Sequence, residues 1–465
     1  MNAPLIWIIA PILVGVLLLF VNSQRALSVL GGFFAVALAL TAQFVPIEEA
    51  MRLGTFSLKI DSSLVVFGRV LLIQPAEGSL LAVIYGSTAL WFFGAEASKT
   101  VLRIVPIGLM ITGLMVASIA VEPFLYAALF IEMAILLAIP LLTDISSPPG
   151  RGVLRFLIYQ TLAMPFILLT GWLLAGVEAS PGDLALAAQS ASMLALGFAF
   201  LLAIFPLNNW VPMLMEETSP YIVGFLLWIL PTMTIIFGAG FLDRYSWLRS
   251  SQQLITALRF AGLLMIVTGG MFAAFQRHLG RIMAYGVIAE TGFSLLALSL
   301  DPKLGIPILF LLIPARALGQ AVWSFALTVI NDHVETMQFN ASRGILRIMP
   351  FAGAGMIVAT LSTSAFPLLA GFPARLALWE GLSRVSISAA LWMGIGIVGL
   401  LTSAFRSMAV ISMADEYTSW ERRESLAQTI MLGLGMIGLF ILGLFPQTVQ
   451  YFLSGLPAMF EHLGR

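Results

Sequence analysis

Four charged side chains lie inside stretches that are otherwise apolar. They are Glu132 in Leu129-Phe-Ile-Glu-Met133, Glu290 in Ala284-Tyr-Gly-Val-Ile-Ala-Glu-Thr291, Arg316 just after Pro314, and Arg375 in Gly371-Phe-Pro-Ala-Arg375. A charge at bilayer depth costs about 2.5–3.5 kcal/mol even on the mildest insertion scale, so such residues mark pairing or ion passage. A buried carboxylate can exchange a proton, whereas a guanidinium keeps its own. The chemistry these types offer is ion passage: carboxylates that load and release a proton, set among fixed positive charges.

The run that carries Arg375 has a second feature. Ser364-Ala-Phe-Pro-Leu-Leu-Ala-Gly-Phe-Pro373 places Pro367, Gly371 and Pro373 deep inside a hydrophobic segment. Proline removes a helical N–H and clashes with the preceding turn. Irregular backbone is tolerated at membrane depth only where protein or a water-lined cavity satisfies the freed groups. A broken helix beside a buried cation is a transporter's arrangement. Phe205-Pro206 echoes Phe366-Pro367, with Trp210 and Trp379 following.

The elements that position these residues are membrane spans. Of 465 residues 60% are hydrophobic and 10% charged, and the mean hydropathy is +1.01. That composition describes an all-α polytopic membrane protein. Apolar runs bounded by charges or by Gly, Pro and Asn predict about fourteen helices, allowing roughly 17–25 residues each. The chain reads as a single membrane domain over 1–465. The segment from Leu5 to Val21 reads as a retained helix, since it has no basic leader and no small-residue cleavage site. Arg52 to Asp61, more polar and partly alternating, suggests a short exposed hairpin. The two proline breaks fit two five-helix blocks, approximately 101–242 and 255–412, each with a broken helix in fourth place. An odd number of helices per block inverts one block relative to the other, and loop cations favour both termini outside.

Several classes are excluded. The net charge is zero and no basic tract occurs, which argues against nucleic acid. With no cysteine there is neither a disulfide nor a cysteine-ligated iron–sulfur cluster. His278, His333 and His462 fall in predicted loops or at the tail, so an embedded bis-histidine haem is not expected. No metal site and no cofactor are predicted.

Longer motifs carry a family resemblance. Gly269-Gly-Met271 followed by Arg281-Ile-Met-Ala-Tyr-Gly-Val-Ile-Ala-Glu-Thr-Gly-Phe293 resembles the pattern K-R-x-x-A-Y-S-S-I-S-H-M-G-F. Gly197-Phe-Ala199 and Phe205-Pro-Leu-Asn-Asn-Trp-Val-Pro212, then Ser219-Pro220, resemble G-F-x-x-K-x-P-x-x-P-F-H-x-W-L-P…A-P. Phe366-Pro-Leu-Leu-Ala-Gly-Phe-Pro-Ala-Arg375 resembles P-P-L-A-G-F-x-G-K. In order and spacing these resemble the antiporter-like, proton-pumping membrane subunits of respiratory complex I, the NADH-quinone oxidoreductase. Relatives of that family include Mrp-type antiporter and membrane hydrogenase subunits. The resemblance implies proton translocation coupled to electron transfer in partner subunits, with no redox centre in this chain. It implies other membrane-arm subunits, the lipid bilayer and protons as partners. It also implies an energy-transducing membrane, the bacterial plasma membrane, as location.

Carried over by position, the resemblance makes Glu132 the fifth-span glutamate and Arg375 the twelfth-span cation. Glu290 and Arg316 fall near positions where the family has histidine. The family's lysines in the seventh and eighth spans fall on Leu201 and about Met233, and a motif histidine falls on Asn208. With leucine at a lysine position and the arginines kept, fixed charges stand where the family has titratable ones. The proton pathway expected is Glu132, Glu290, Arg316 and Arg375, with Pro206, Pro367, Gly371 and Pro373 at the breaks. Each residue also has a plainer reading. Glu290 fits a static pairing with Arg316 or Arg375, Arg316 a structural salt bridge, and Arg375 snorkelling toward an interface. Glu216 and Glu217 read as a solvated loop face. Asp415, Glu416, Glu421, Arg422, Arg423 and Glu424 read as a wet loop or a docking surface. Two functional alternatives stay open: a degenerate structural subunit that does not pump, and an autonomous cation/proton antiporter or hydrogenase-linked subunit.

Overall fold

A computed structural model describes residues 2–53, 56–66, 68–143, 148–179, 183–334, 336–413 and 421–463. Asp415 and Glu416 lie outside the described residues. The chain opens with α1 (Ala10–Leu18), entered through a wider turn at Leu5–Ile9, and α2 (Gln24–Phe44). α3 (Gly78–Ala97), α4 (Ile104–Ala120), α5 (Ala127–Leu142), α6 (Arg151–Ala179) and α7 (Leu184–Leu201) follow. After an interruption come α8 (Trp210–Glu217), α9 (Pro220–Arg244) and the single turn α10 (Ser246–Arg249). α11 (Gln252–Phe275), α12 (Leu279–Leu298), α13 (Pro302–Asn331) and the short α14 (Ile345–Ile348) lead to α15 (Pro350–Thr363). A second interruption precedes α16 (Gly371–Val385); α17 (Ile387–Ser412), α18 (Leu426–Leu444) and α19 (Pro446–Leu453) close the chain.

Among the described residues, ten helical segments are long and apolar enough to cross a bilayer. Four more apolar helices are shorter: Leu5–Leu18, Ile104–Ala120, Ala185–Leu201 and Pro350–Thr363. The chain is an integral, multi-pass, all-α membrane protein. Its strands are confined to small ribbons. The expected hairpin pairs β1 (Ala50–Leu53) with β2 (Phe56–Lys59). A second hairpin, β3 (Ser63–Val66) with β4 (Arg69–Leu72), takes β5 (Val121–Glu122) onto its edge.

The helices divide into an inner and an outer set. α9 is 94% buried over its most apolar window and α18 only 17%, although both are strongly apolar. Apolarity thus marks a span without saying whether it faces protein or lipid. α9 packs on α4, α12 and α13, and α13 also packs on α15, α16 and α18. Without a hydrophobic drive between helices in lipid, close backbone approach supplies the packing. α11 and α17 meet glycine on glycine: a Cβ on Gly270 would lie 2.0 Å from the Gly396 carbonyl oxygen.

Helix starts follow ordinary capping chemistry. Ser23, Asp183, Ser251, Asp301, Ser386 and Ser425 accept backbone N–H groups at the starts of α2, α7, α11, α13, α17 and α18. α12 is different: its cap is His278, whose Nδ1 accepts the Arg281 N–H at 3.3 Å. Only a neutral imidazole can accept there. Burial lowers the His278 pKa from 6.5, more than the nearby Glu216 raises it, with Arg281 lowering it further. A base whose folded pKa is depressed contributes stability above its unfolded value and loses it as the pH falls through the lowered one. The native protein should therefore lose about 0.5–2 kcal/mol as the pH drops below about 6.5, the worth of one helix cap. His278→Asn, which caps without titrating, should flatten that part of a thermal-stability profile between pH 7 and 5. An unchanged profile would remove His278 as the cause.

Candidate functional site

The second interruption is organised by one ion pair. Glu290, in the middle of α12, is bonded to the Arg375 Nη2. Their side chains are 6% and 2% exposed. Arg375 does not snorkel; it sits one turn into α16 and points back across the break. Its Nη1 donates to the Ser362 carbonyl at 2.8 Å, and its guanidinium carbon lies 4.7 Å from the centre of the Phe293 ring. The break frees that carbonyl from an ordinary helical bond, because the Phe366 N–H turns to Leu361 instead. Ser362 also supplies its hydroxyl to the Gly371 N–H, at 3.2 Å. Backbone N–H and C=O groups left in low dielectric must be satisfied, and here a serine and an arginine do so.

The expected break positions of the second interruption fall around this junction. Pro367 lies in the interruption, while Gly371 and Pro373 are in the first turn of α16. Ala365 and Leu368 adopt positive φ of 57° and 73°. Gly371 has to be glycine for a different reason: a Cβ there would stand 1.7 Å from the Arg375 Nη1 and 2.1 Å from the Ser362 oxygen. In the first interruption, between α7 and α8, Pro206 follows a cis bond and Ala203 has φ of 51°. Its loose carbonyls, Phe200 and Leu201, receive the Gln160 side-chain amide of α6 at 3.4 and 3.2 Å.

Among the described residues Arg316 forms no salt bridge, where the plainer expectation gave it one. Its Nη2 donates to the Leu227 carbonyl of α9 at 3.0 Å and to the Thr291 hydroxyl at 3.1 Å. It is 3% exposed. Glu132, on α5, is half-buried and accepts the Thr161 hydroxyl at 2.9 Å. Its second oxygen is out of solvent contact and has no partner among the described residues. An unmet buried acceptor of this kind costs about 1–3 kcal/mol and calls for an explanation in chemistry.

The two groups of polar residues approach from opposite sides of an apolar gap. A cavity of about 20 Å³ lies between them, large enough for about one water. Gln160 and Leu201 line one side, and Thr291 with Leu227, Leu230 and Pro231 the other. Gln160 precedes Thr161, the partner of Glu132, and Thr291 follows Glu290. Leu201 and Met233 are both buried, as is Asn208, whose side-chain nitrogen has no partner. The structure thus joins Glu290, Arg375 and, through Thr291, Arg316. It leaves Glu132 apart with Thr161 and Gln160.

Sequence reasoning missed Ser362, Thr291, Thr161 and Gln160. The adjacent polar pair Gln160-Thr161 inside an apolar run was the one visible signal. Glu216 and Glu217 are exposed, as a solvated face requires, and both are also engaged: Glu216 pairs with Arg281, and Glu217 accepts the Gly152 N–H at 2.7 Å. Both contacts anchor α8 to neighbouring helices. Glu424, expected in a wet loop, is buried and accepts the Ala352 N–H in the first turn of α15 at 2.6 Å.

Breaking the buried pair should be costly, because the survivor stays charged in low dielectric. Arg375→Ala or Glu290→Gln alone should lose about 3–5 kcal/mol, and the double variant clearly less than the sum. Unfolding in a denaturing detergent titration measures the cycle; additive losses would show that the pair is not coupled.

Known proteins align with this arrangement. Residues 185–403, a little under half the chain, match the family described as NADH:quinone oxidoreductase/Mrp antiporter, TM. The NAD(P)H-quinone oxidoreductase chain 4 1 of Synechococcus sp. (strain JA-2-3B'a(2-13)) is 28% identical over 263 residues, which is 53% of this chain and 49% of that protein. The chain spans about half the length of the curated relatives it matches. Among solved structures, a chain of respiratory complex I from Thermus thermophilus superposes with a TM-score of 0.77 at 19% identity, covering 99% of this chain and 98% of that one. A chain of the Mrp complex from Dietzia sp. DQ12-45-1b gives 0.81 at 15%, covering 98% and 97%. At such identities the structures speak to the fold alone. Taken with the sequence matches, the chain is an antiporter-like membrane protein related to the NADH:quinone oxidoreductase/Mrp antiporter family.

Proposed function

We propose that this chain is a membrane-arm subunit of a complex I-type oxidoreductase, seated in an energy-transducing membrane. It translocates protons while electron transfer takes place in partner subunits. The observation that carries this reading is the Glu290–Arg375 pair built into an interrupted helix. Paired interrupted helices with polar groups at the break are how transporters place an ion site at the midplane. The finer architecture belongs to the same reading: fourteen spans, counting the four shorter apolar helices, with two inverted five-helix repeats. In it α4 to α9 and α11 to α17 correspond, so that Glu132 on α5 and Glu290 on α12 occupy equivalent helices. Glu132 and Glu290 load and release protons. Arg316 and Arg375 hold fixed positive charge that biases the loaded state.

One observation favours a second reading. Leu201 and Met233 are buried among apolar neighbours, so the middle of the axis holds no titratable group. A subunit that extends the membrane arm without pumping would look like this. Glu132→Gln separates the two. In membrane vesicles with the complex assembled, it should lower the protons moved per electron pair while quinone reduction continues. An unchanged ratio with assembly intact would leave the structural reading standing.

A further inference from the structure

A second polar cavity lies away from the axis. It occupies about 120 Å³ between the ends of α4 and α9, the β4–β5 ribbon and the C-terminal segment. Glu77, Glu122, Asp243 and Arg244 line it, with Phe460 and Ile236. Three carboxyl groups against one guanidinium leave an acidic excess even where the buried Glu77 holds its proton, and such a lining concentrates cations. Glu122 holds Arg244 at 2.7 Å, and Glu77, nearly buried, accepts the Gln74 N–H at 2.9 Å. Asp243 accepts the N–H groups of Glu461, His462 and Leu463 at 2.9, 2.7 and 2.7 Å, which pins the C-terminal segment beside the opening.

A smaller, separate cavity of about 10 Å³ lies on the other side of Ile236. Ile236 lines both cavities, and Arg316 lines the inner one with Thr232 and Ser294. Thr232 is 3% exposed and its hydroxyl has no partner; the Arg316 Nε is equally buried and equally unpaired. Unpaired polar atoms facing a space of one water's size are the signature of a hydration site. Arg316 in turn donates to Thr291, next to Glu290.

We propose that the two cavities form one outlet, a water-accessible branch from Arg316 and Glu290 past Thr232 to the acidic vestibule. Ile236 is its apolar constriction, of the kind that opens and closes by wetting. The branch carries protons or other small monovalent cations, and that cargo rests on the translocation reading above. The geometry of access does not rest on it.

The chain has no cysteine, so single cysteines report water access without background. In membranes holding the assembled protein, Ile119→Cys tests the vestibule, Thr232→Cys the inner cavity, and Ile229→Cys a buried position on α9 that lines neither. At Ile119→Cys a cationic trimethylammonium thiosulfonate should react about tenfold faster than an anionic sulfonate analogue. Glu77→Gln together with Glu122→Gln should bring the two rates close together. Silver ion should block later labelling of Thr232→Cys but not of Ile229→Cys, and Ile236→Ala should speed that block severalfold. If Thr232→Cys does not assemble, Ser294→Cys probes the same cavity. Equal rates for the two thiosulfonates would overturn the acidic vestibule, and a Thr232→Cys inert to silver would overturn the branch. Silver access together with an unchanged proton yield in Glu132→Gln keeps the branch and removes the pumping reading. Inert Thr232→Cys in a complex whose yield falls does the reverse.

Discussion

The Glu290–Arg375 pair sets the terms for the structure around it. Two charges taken out of water recover their desolvation cost only with good geometry and further hydrogen bonds. Arg375 finds these at the Ser362 carbonyl and the face of Phe293. That carbonyl is open to it because α15 stops, and the approach is possible because residue 371 has no side chain. The interruption, the glycine and the left-handed turns at Ala365 and Leu368 thus belong to one device. Remove the arginine and that carbonyl keeps only the bond from the Ala365 N–H at 3.2 Å; restore a continuous helix and the carbonyl takes an ordinary helical bond instead.

The first interruption shows that a charge is not needed to make such a break. There, the exposed carbonyls of Phe200 and Leu201 are met by the neutral amide of Gln160. Gln160 places no ion at depth. The same backbone problem is therefore solved twice, once with a neutral donor and once with a cation. Since the neutral solution is available, the cation at Arg375 and its partner Glu290 require a reason other than backbone satisfaction. Handling an ion, as proposed above, is a reason that residue types of this kind supply.

Much of this was legible in the sequence, and the division follows from physics. Charges inside apolar runs stand out because their cost is large and local, which is why Glu132, Glu290, Arg316 and Arg375 were visible. Prolines 206 and 367 stand out because they remove a donor at a fixed position. The groups that complete the site do not stand out. Ser362, Thr291 and Thr161 are hydroxyl residues of a type that sits in any helix, bonding its own backbone. What they do depends on which helix packs opposite, and that is set by long-range contact. The same holds for Glu216 and Arg281, 65 residues apart in the chain. It holds again for Asp243, whose partners are backbone groups more than two hundred residues later. Span-end carboxylates resemble wet loops until the tertiary fold brings a partner to them.

The asymmetry of the axis constrains how it can work. Arginine does not release its proton at any pH a cell reaches, so neither Arg316 nor Arg375 can serve as a carrier in a relay. Protons on this axis must reside on Glu132, Glu290 or water. Between the two carboxylates stand Leu201, Leu227 and Leu230 around a space fit for about one water. An apolar gap of this size passes protons only when it wets, and it blocks them when it does not. The positive charge of Arg316, held by Thr291 at the edge of that gap, opposes an excess proton crossing it. A shift of Arg316 away from Thr291 would weaken that barrier. On the translocation reading proposed above, gating in this chain falls to the position of a permanent charge, where a lysine would have gated by losing its own.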